Sequence, residues 1–138
     1  MDEKYLQIVQ HTGENYLPVI RFDAWRVAVL NSHARFRREN MCQLERHLLT
    51  DESFILLKGE AALYVSDGDA THAGHIEVFP LEPCKVYNVR QGVWHAIEVS
   101  EDASVLVVEN DDTTKDNSPK LPISPEDLPL WHRKGAKI

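Results

Sequence analysis

At 138 residues, with 43% hydrophobic and 27% charged side chains, the chain has the composition of one ordinary globular domain and excludes a disordered or fibrous class. Fifteen basic against 22 acidic residues leave a net charge of −7, which repels a phosphate backbone or an anionic lipid surface. No nucleic acid and no membrane are therefore expected among its partners.

The N-terminus, Met1-Asp2-Glu3-Lys4, has no charged-then-apolar leader pattern, and no apolar run approaches the roughly 18 to 20 residues of a membrane span. A cytoplasmic location is the default expectation. Short apolar runs then follow one another, separated by Gly, Asp, Asn and Pro, with no sustained helical period. They predict strands over 5–9, 19–30 (broken near Asp23), 42–48, 53–57, 61–65, 76–79, 85–89, 96–99 and 104–109. Lys58-Gly59-Glu60 reads as a tight hairpin, and Arg90-Gln91-Gly92 as a turn that needs glycine's backbone freedom.

The run Arg35, Arg37 and Arg38 is broken up and followed by Glu39, so a solvated turn is expected there. Cys42 and Cys84 lie in apolar, strand-like surroundings with no close Cys or His spacing, and read as buried free thiols. After Asn110 the character changes to a polar stretch followed by Pro119, Pro122, Pro125 and Pro129 among Leu121, Ile123, Leu128 and Trp131. The division expected is a β-domain over 1–110 and an irregular Pro-rich tail over 111–138, docked on the barrel or on a partner subunit. So many short strands without intervening helices favour an all-β sandwich or barrel over a doubly wound sheet.

The chemistry-bearing residues are few. A strand through Leu44-Glu45-Arg46-His47-Leu48 places Glu45 and His47 on one face, because strand side chains alternate with a period of two. Glu52, after the Leu49-Thr50-Asp51 bend, returns to that side with Phe54 and Leu56 if pairing resumes there. His95 enters a strand pointing with Ile97 and Val99, with Trp94 as an aromatic wall on the other face. Two histidines with carboxylates can hold a divalent metal with open positions, or act as acid, base and anchor without one. Asn88 and Arg90 precede the glycine turn, where paired guanidinium donors suit a carboxylate. His72 and His75 lack a partner spacing and read as solvated.

His47, four residues, Glu52, six residues, Gly59 resembles the latter part of the first cupin motif, and Gly92, two residues, His95 the core of the second. Leu44-Glu45-Arg46-His47 and Tyr87-Asn88-Val89-Arg90-Gln91-Gly92-Val93-Trp94-His95, with the strand Val105-Leu106-Val107-Val108-Glu109, are similar more narrowly to the ureidoglycolate lyase family. The resemblance implies a small antiparallel cupin-type β-barrel or jelly roll, a cytoplasmic homodimer, and a lyase that releases urea and glyoxylate. The candidate catalytic residues are His47, Glu52 and His95, and the candidate substrate contacts are Glu45, Asn88, Arg90 and Trp94.

In the cupin pattern Glu45 stands where the first motif has a histidine, so a metal on His47, Glu52 and His95 would gain a harder oxygen donor. Iron, manganese or nickel is then favoured over zinc. Two other readings accompany the lyase: a non-catalytic cupin that binds a small ligand, and a metal-dependent dioxygenase or isomerase.

Overall fold

The structure is a computed structural model that describes residues 2–134; residue 1 of the expected β-domain and residues 135–138 of the expected tail lie outside them. Ten strands form: β1 (Tyr16–Phe22), β2 (Trp25–Asn31), β3 (Gln43–Glu45), β4 (Glu52–Lys58), β5 (Ala61–Ser66), β6 (Ile76–Pro80), β7 (Tyr87–Val89), β8 (His95–Val99), β9 (Ser104–Asn110) and β10 (Lys120–Pro122). Short 3-10 turns cover Ala34–Phe36, Arg38–Asn40, Lys115–Asn117 and Pro125–Asp127. The described residues contain no α-helix, and none of their helices is long and apolar enough to cross a membrane.

The strands make two five-stranded sheets, in the orders β1-β2-β9-β4-β7 and β10-β3-β8-β5-β6. Every pairing is antiparallel. Alternation decides which face each strand buries. In β4, Glu52, Phe54 and Leu56 are buried, and in β9 so are Val105, Val107 and Glu109. These inward sets meet Ala28 and Leu30 of β2 and Ala61 and Leu63 of β5 in the main core. Removing such apolar area from water contributes about 25 cal/mol per Å2, which is why a one-residue register slip is not tolerated.

Two glycines fix the ends of the functional strands. Gly59, at φ +71°, turns β4 into β5, and a Cβ there would lie 2.7 Å from the Ala103 backbone. Gly92, at φ +78°, turns β7 toward β8 and donates its N–H to the His47 carbonyl at 2.8 Å. That bond ties the segment carrying His47 to the turn that leads into His95.

Three expectations are corrected. The segment 5–9 is not a strand: it pairs with no sheet edge among the described residues, and Tyr5, Leu6, Ile8 and Val9 are exposed. Cys42 and Cys84 are free but exposed, and Cys84 takes a positive φ of 68° in a turn. Arg38 is not simply solvated, because its guanidinium donates to the carbonyls of Pro125, Leu128 and Pro129 and holds the tail down.

From 111 to 134 the chain packs on the same body. β10 pairs with β3, and Leu128 is buried with Met41 and Tyr64 in a second apolar cluster that Ile123 and Trp131 flank.

Candidate functional site

Strand register builds the site. In the first sheet Arg26 of β2 pairs with Glu109 of β9, which pairs with Glu52 of β4. In the second, Lys120 of β10 pairs with Glu45 of β3, which pairs with His95 of β8. Side chains in register on adjacent strands share a face, so each sheet contributes one polar row. Both rows line a cavity of about 450 Å3, with His47 just beyond the end of β3 and an apolar wall that includes Phe54 and Ile97.

Glu52 Oε1 accepts from His95 Nε2 at 2.8 Å and from His47 Nε2 at 3.1 Å. His47 Nδ1 is bonded to Ser118 Oγ at 2.7 Å, and His95 Nδ1 to the Val93 carbonyl at 3.0 Å. A carbonyl only accepts, so His95 Nδ1 carries hydrogen, and Nε2 is the ring nitrogen that faces Glu52 and the cavity. Glu45 Oε1 stands 3.4 Å from His47 Nε2, while Glu45 Oε2 pairs with Lys120 Nζ.

Burial opposes charge on Glu52, but the hydrogen bonds from His47 and His95 outweigh it and hold the carboxyl well below the usual range. Its neighbour Glu109 behaves in the opposite way. Burial and the adjacent Glu52 carboxylate push Glu109 up to about 8, against the pull of Arg26. Arg26 at 2.6 Å and the Tyr16 hydroxyl at 3.0 Å both donate to Glu109 Oε1. Oε1 already accepts both donors, so a proton on Glu109 sits on Oε2, which is buried beside the Glu52 carboxylate and has no other partner among the described residues. Burial lowers His47, yet its bond to Glu52 and that group's charge raise it above the ordinary histidine value. Lys120 is lowered by burial and by the Arg35 charge.

The donor set suits a divalent cation. Glu45, His47 and His95 bring one ligand atom each to within 4.8 Å of one another, as do His47, Glu52 and Glu109. Ligands at right angles around an ion about 2.1 Å away lie about 3 Å apart, and Glu45 Oε1 and His47 Nε2 stand 3.4 Å apart. The Ser118 and Val93 bonds orient both imidazoles from behind, as metal-ligating histidines require.

His47, Glu52, His95 and Glu45 are thus brought together. Asn88, Arg90 and Trp94 are not. Asn88 lies on the outer face of β7, bonded to Ser53 and Asp51. The Arg90 side chain is 80% exposed beside Asp51. Trp94 is buried under Arg46 and donates its indole N–H to the Asp69 carbonyl at 2.5 Å, away from the cavity. The His72 and His75 side chains are exposed.

Glu109 and Arg26 escape a reading centred on histidine, although the period of two in β9 and β2 aims both inward with Val107 and Ala28. For Tyr16, Ser118 and Lys120 no local pattern gives a signal.

A family model for ureidoglycolate lyase matches residues 3–125. No functionally curated protein matches the sequence. Among solved structures, Streptomyces Pac13, described as a nucleoside dehydratase, is 9% identical with a TM-score of 0.59, covering 83% of this chain and 84% of its own. A cupin-2 domain protein from Shewanella frigidimarina is 16% identical with a TM-score of 0.51, covering 78% of this chain and 89% of its own. The TT1209 protein from Thermus thermophilus is 19% identical with a TM-score of 0.50, covering 80% of this chain and 94% of its own. At such identities the likeness is one of fold, and that fold is the cupin β-barrel.

Proposed function

The chain belongs to the ureidoglycolate lyase family, and from that premise we propose that it cleaves the C–N bond of ureidoglycolate or a close α-hydroxy-acid relative, releasing urea and glyoxylate. The observation that carries this reading is the pair Glu52 and Glu109. Two carboxyl groups in register on adjacent strands, one ionised and one protonated at neutral pH, face a single cavity. Environments that push two titratable groups apart assign a base and an acid.

Glu52 takes the proton of the substrate hydroxyl, and the electron pair of that O–H bond forms the new carbonyl. The C–N bond breaks with its pair on nitrogen, and Glu109 Oε2 gives its proton to the departing urea. Arg26 and Tyr16 then hold the resulting Glu109 carboxylate, to which they already donate. In the metal-free site His47 and His95 keep Glu52 ionised and aimed, and Phe54 and Ile97 form the apolar wall beside it.

A divalent cation, iron, manganese or nickel before zinc, would be held by Glu45, His47 and His95, with Glu45 in the place that the sequence reading gave to Glu52. When bound it supplies polarisation of the hydroxyl oxygen. The protein is read further as a cytoplasmic homodimer acting on a small molecule, its exposed 5–9 segment supplying apolar area for a second copy.

The test is glyoxylate release from ureidoglycolate by the purified chain, with and without a chelator and with each added metal. Release that is lost in Glu52→Gln and Glu109→Gln supports the assignment. Absence of glyoxylate under every condition overturns it in favour of a ligand-binding cupin or one with another substrate.

A further inference from the structure

In a chain of net charge −7, four cations line one cavity: Arg26, Arg35, Lys115 and Lys120. Arg26 is fully engaged by Glu109, Tyr16 and the Asp111 carbonyl. Arg35 is different. Its Nε donates to Asn15 Oδ1 at 2.8 Å and its guanidinium lies 4.2 Å over the Phe36 ring, so the group is held in place. Its two terminal nitrogens make no hydrogen bond and no ion pair among the described residues. Arg35 and Lys120 are near enough that the charge of one acts on the other, and Glu45 is the only carboxylate paired with either among the described residues.

Two fixed like charges with one half-exposed counter-charge define a place for an anion. From these observations we infer that Arg35 and Lys120 form the subsite that captures the substrate's carboxylate, a deepening that rests on the lyase reading above. The free edge of the Arg35 guanidinium offers parallel N–H donors of the spacing a carboxylate accepts, and Lys120 adds a point charge. Lys120 begins the row that runs through Glu45 to His95. A carboxylate held at its head leaves the adjacent carbon, the one that bears hydroxyl and nitrogen, directed toward His95 and Glu52.

Glycolate and glycolamide make a matched pair of probes, since both carry the hydroxyl and only one carries the charge. Calorimetric titration of the full chain is expected to give glycolate an affinity roughly tenfold or more above glycolamide, the worth of one charge-assisted contact. Arg35→Met and Lys120→Met each remove most of that preference by weakening glycolate far more than glycolamide, while Arg35→Lys and Lys120→Arg retain part of it. In turnover the same Met variants raise KM more than they lower kcat. Equal affinities for the two probes in the wild type, or an unchanged preference in both Met variants, would overturn the subsite. A glycolate preference that depends on Arg35 and Lys120 in a protein that releases no glyoxylate would keep the subsite and remove only the reaction.

Discussion

Ser118 Oγ lies 2.7 Å from His47 Nδ1, although the two residues are 71 positions apart and Ser118 belongs to the C-terminal segment beyond the last long strand. Both side chains are buried, and both line the cavity. The C-terminal segment is therefore part of the site, and His47 owes its ring orientation to it.

Ser118→Ala is expected to weaken divalent-metal affinity by about 10- to 100-fold, the usual effect of removing a partner behind a ligating histidine. Stability should fall by only about 1 kcal/mol. Metal titration beside thermal unfolding checks this, and unchanged affinity with lowered stability would reduce Ser118 to a structural role.

His95→Ala removes one of the two donors that hold Glu52 and one candidate metal ligand. Turnover is expected to drop by about 100-fold or more, with the β-type circular dichroism spectrum retained. A folded variant with wild-type turnover would take His95 out of the site chemistry.

Glu109 gives the pH dependence. Its carboxyl titrates about 8 in the folded chain against a free value of 4.5, so the folded protein binds this proton more tightly than the unfolded one. The stability contributed is complete below the free value and is lost as pH rises through about 8. In metal-free protein Tm should therefore decline from pH 7 to 9, and Glu109→Gln should remove that part of the slope. A decline equally steep in the variant would assign it to other groups.

Ile8 is 87% exposed within a run where Tyr5, Leu6 and Val9 are also exposed. If that run covers a second copy, Ile8→Asp should halve the molar mass measured by light scattering while leaving the fold intact. A monomeric wild-type chain would end this reading of the segment.

How much of the site is legible in the sequence depends on the kind of signal each residue carries. His47, Glu52 and His95 sit at motif spacings, and the period of two aims Glu52 inward with Phe54 and Leu56, as the strand shows. The same rule applied to β9 marks Glu109 as an inward carboxylate among Val105 and Val107. Asn88 and Arg90 read as site residues because they adjoin the glycine turn. The pairing of Ser53 with Asn88 instead puts Asn88 on the outer face, where it and Arg90 meet Asp51. The segment 5–9 is an apolar run like a strand but pairs with no edge among the described residues, and strands gain their stability from pairing.

Alternation, turn residues and motif spacing determined by themselves the all-β class, the hairpin at Gly59 and the inward histidines, because each depends on contacts close in sequence. Tertiary structure alone decided that Arg26, Glu109 and Glu52 stand in one row facing Lys120, Glu45 and His95 in another. Register between distant strands sets those rows, and with them the opposite protonation of Glu52 and Glu109. The shifts arise from burial and from charges brought together across the sheets, which no stretch of local sequence contains.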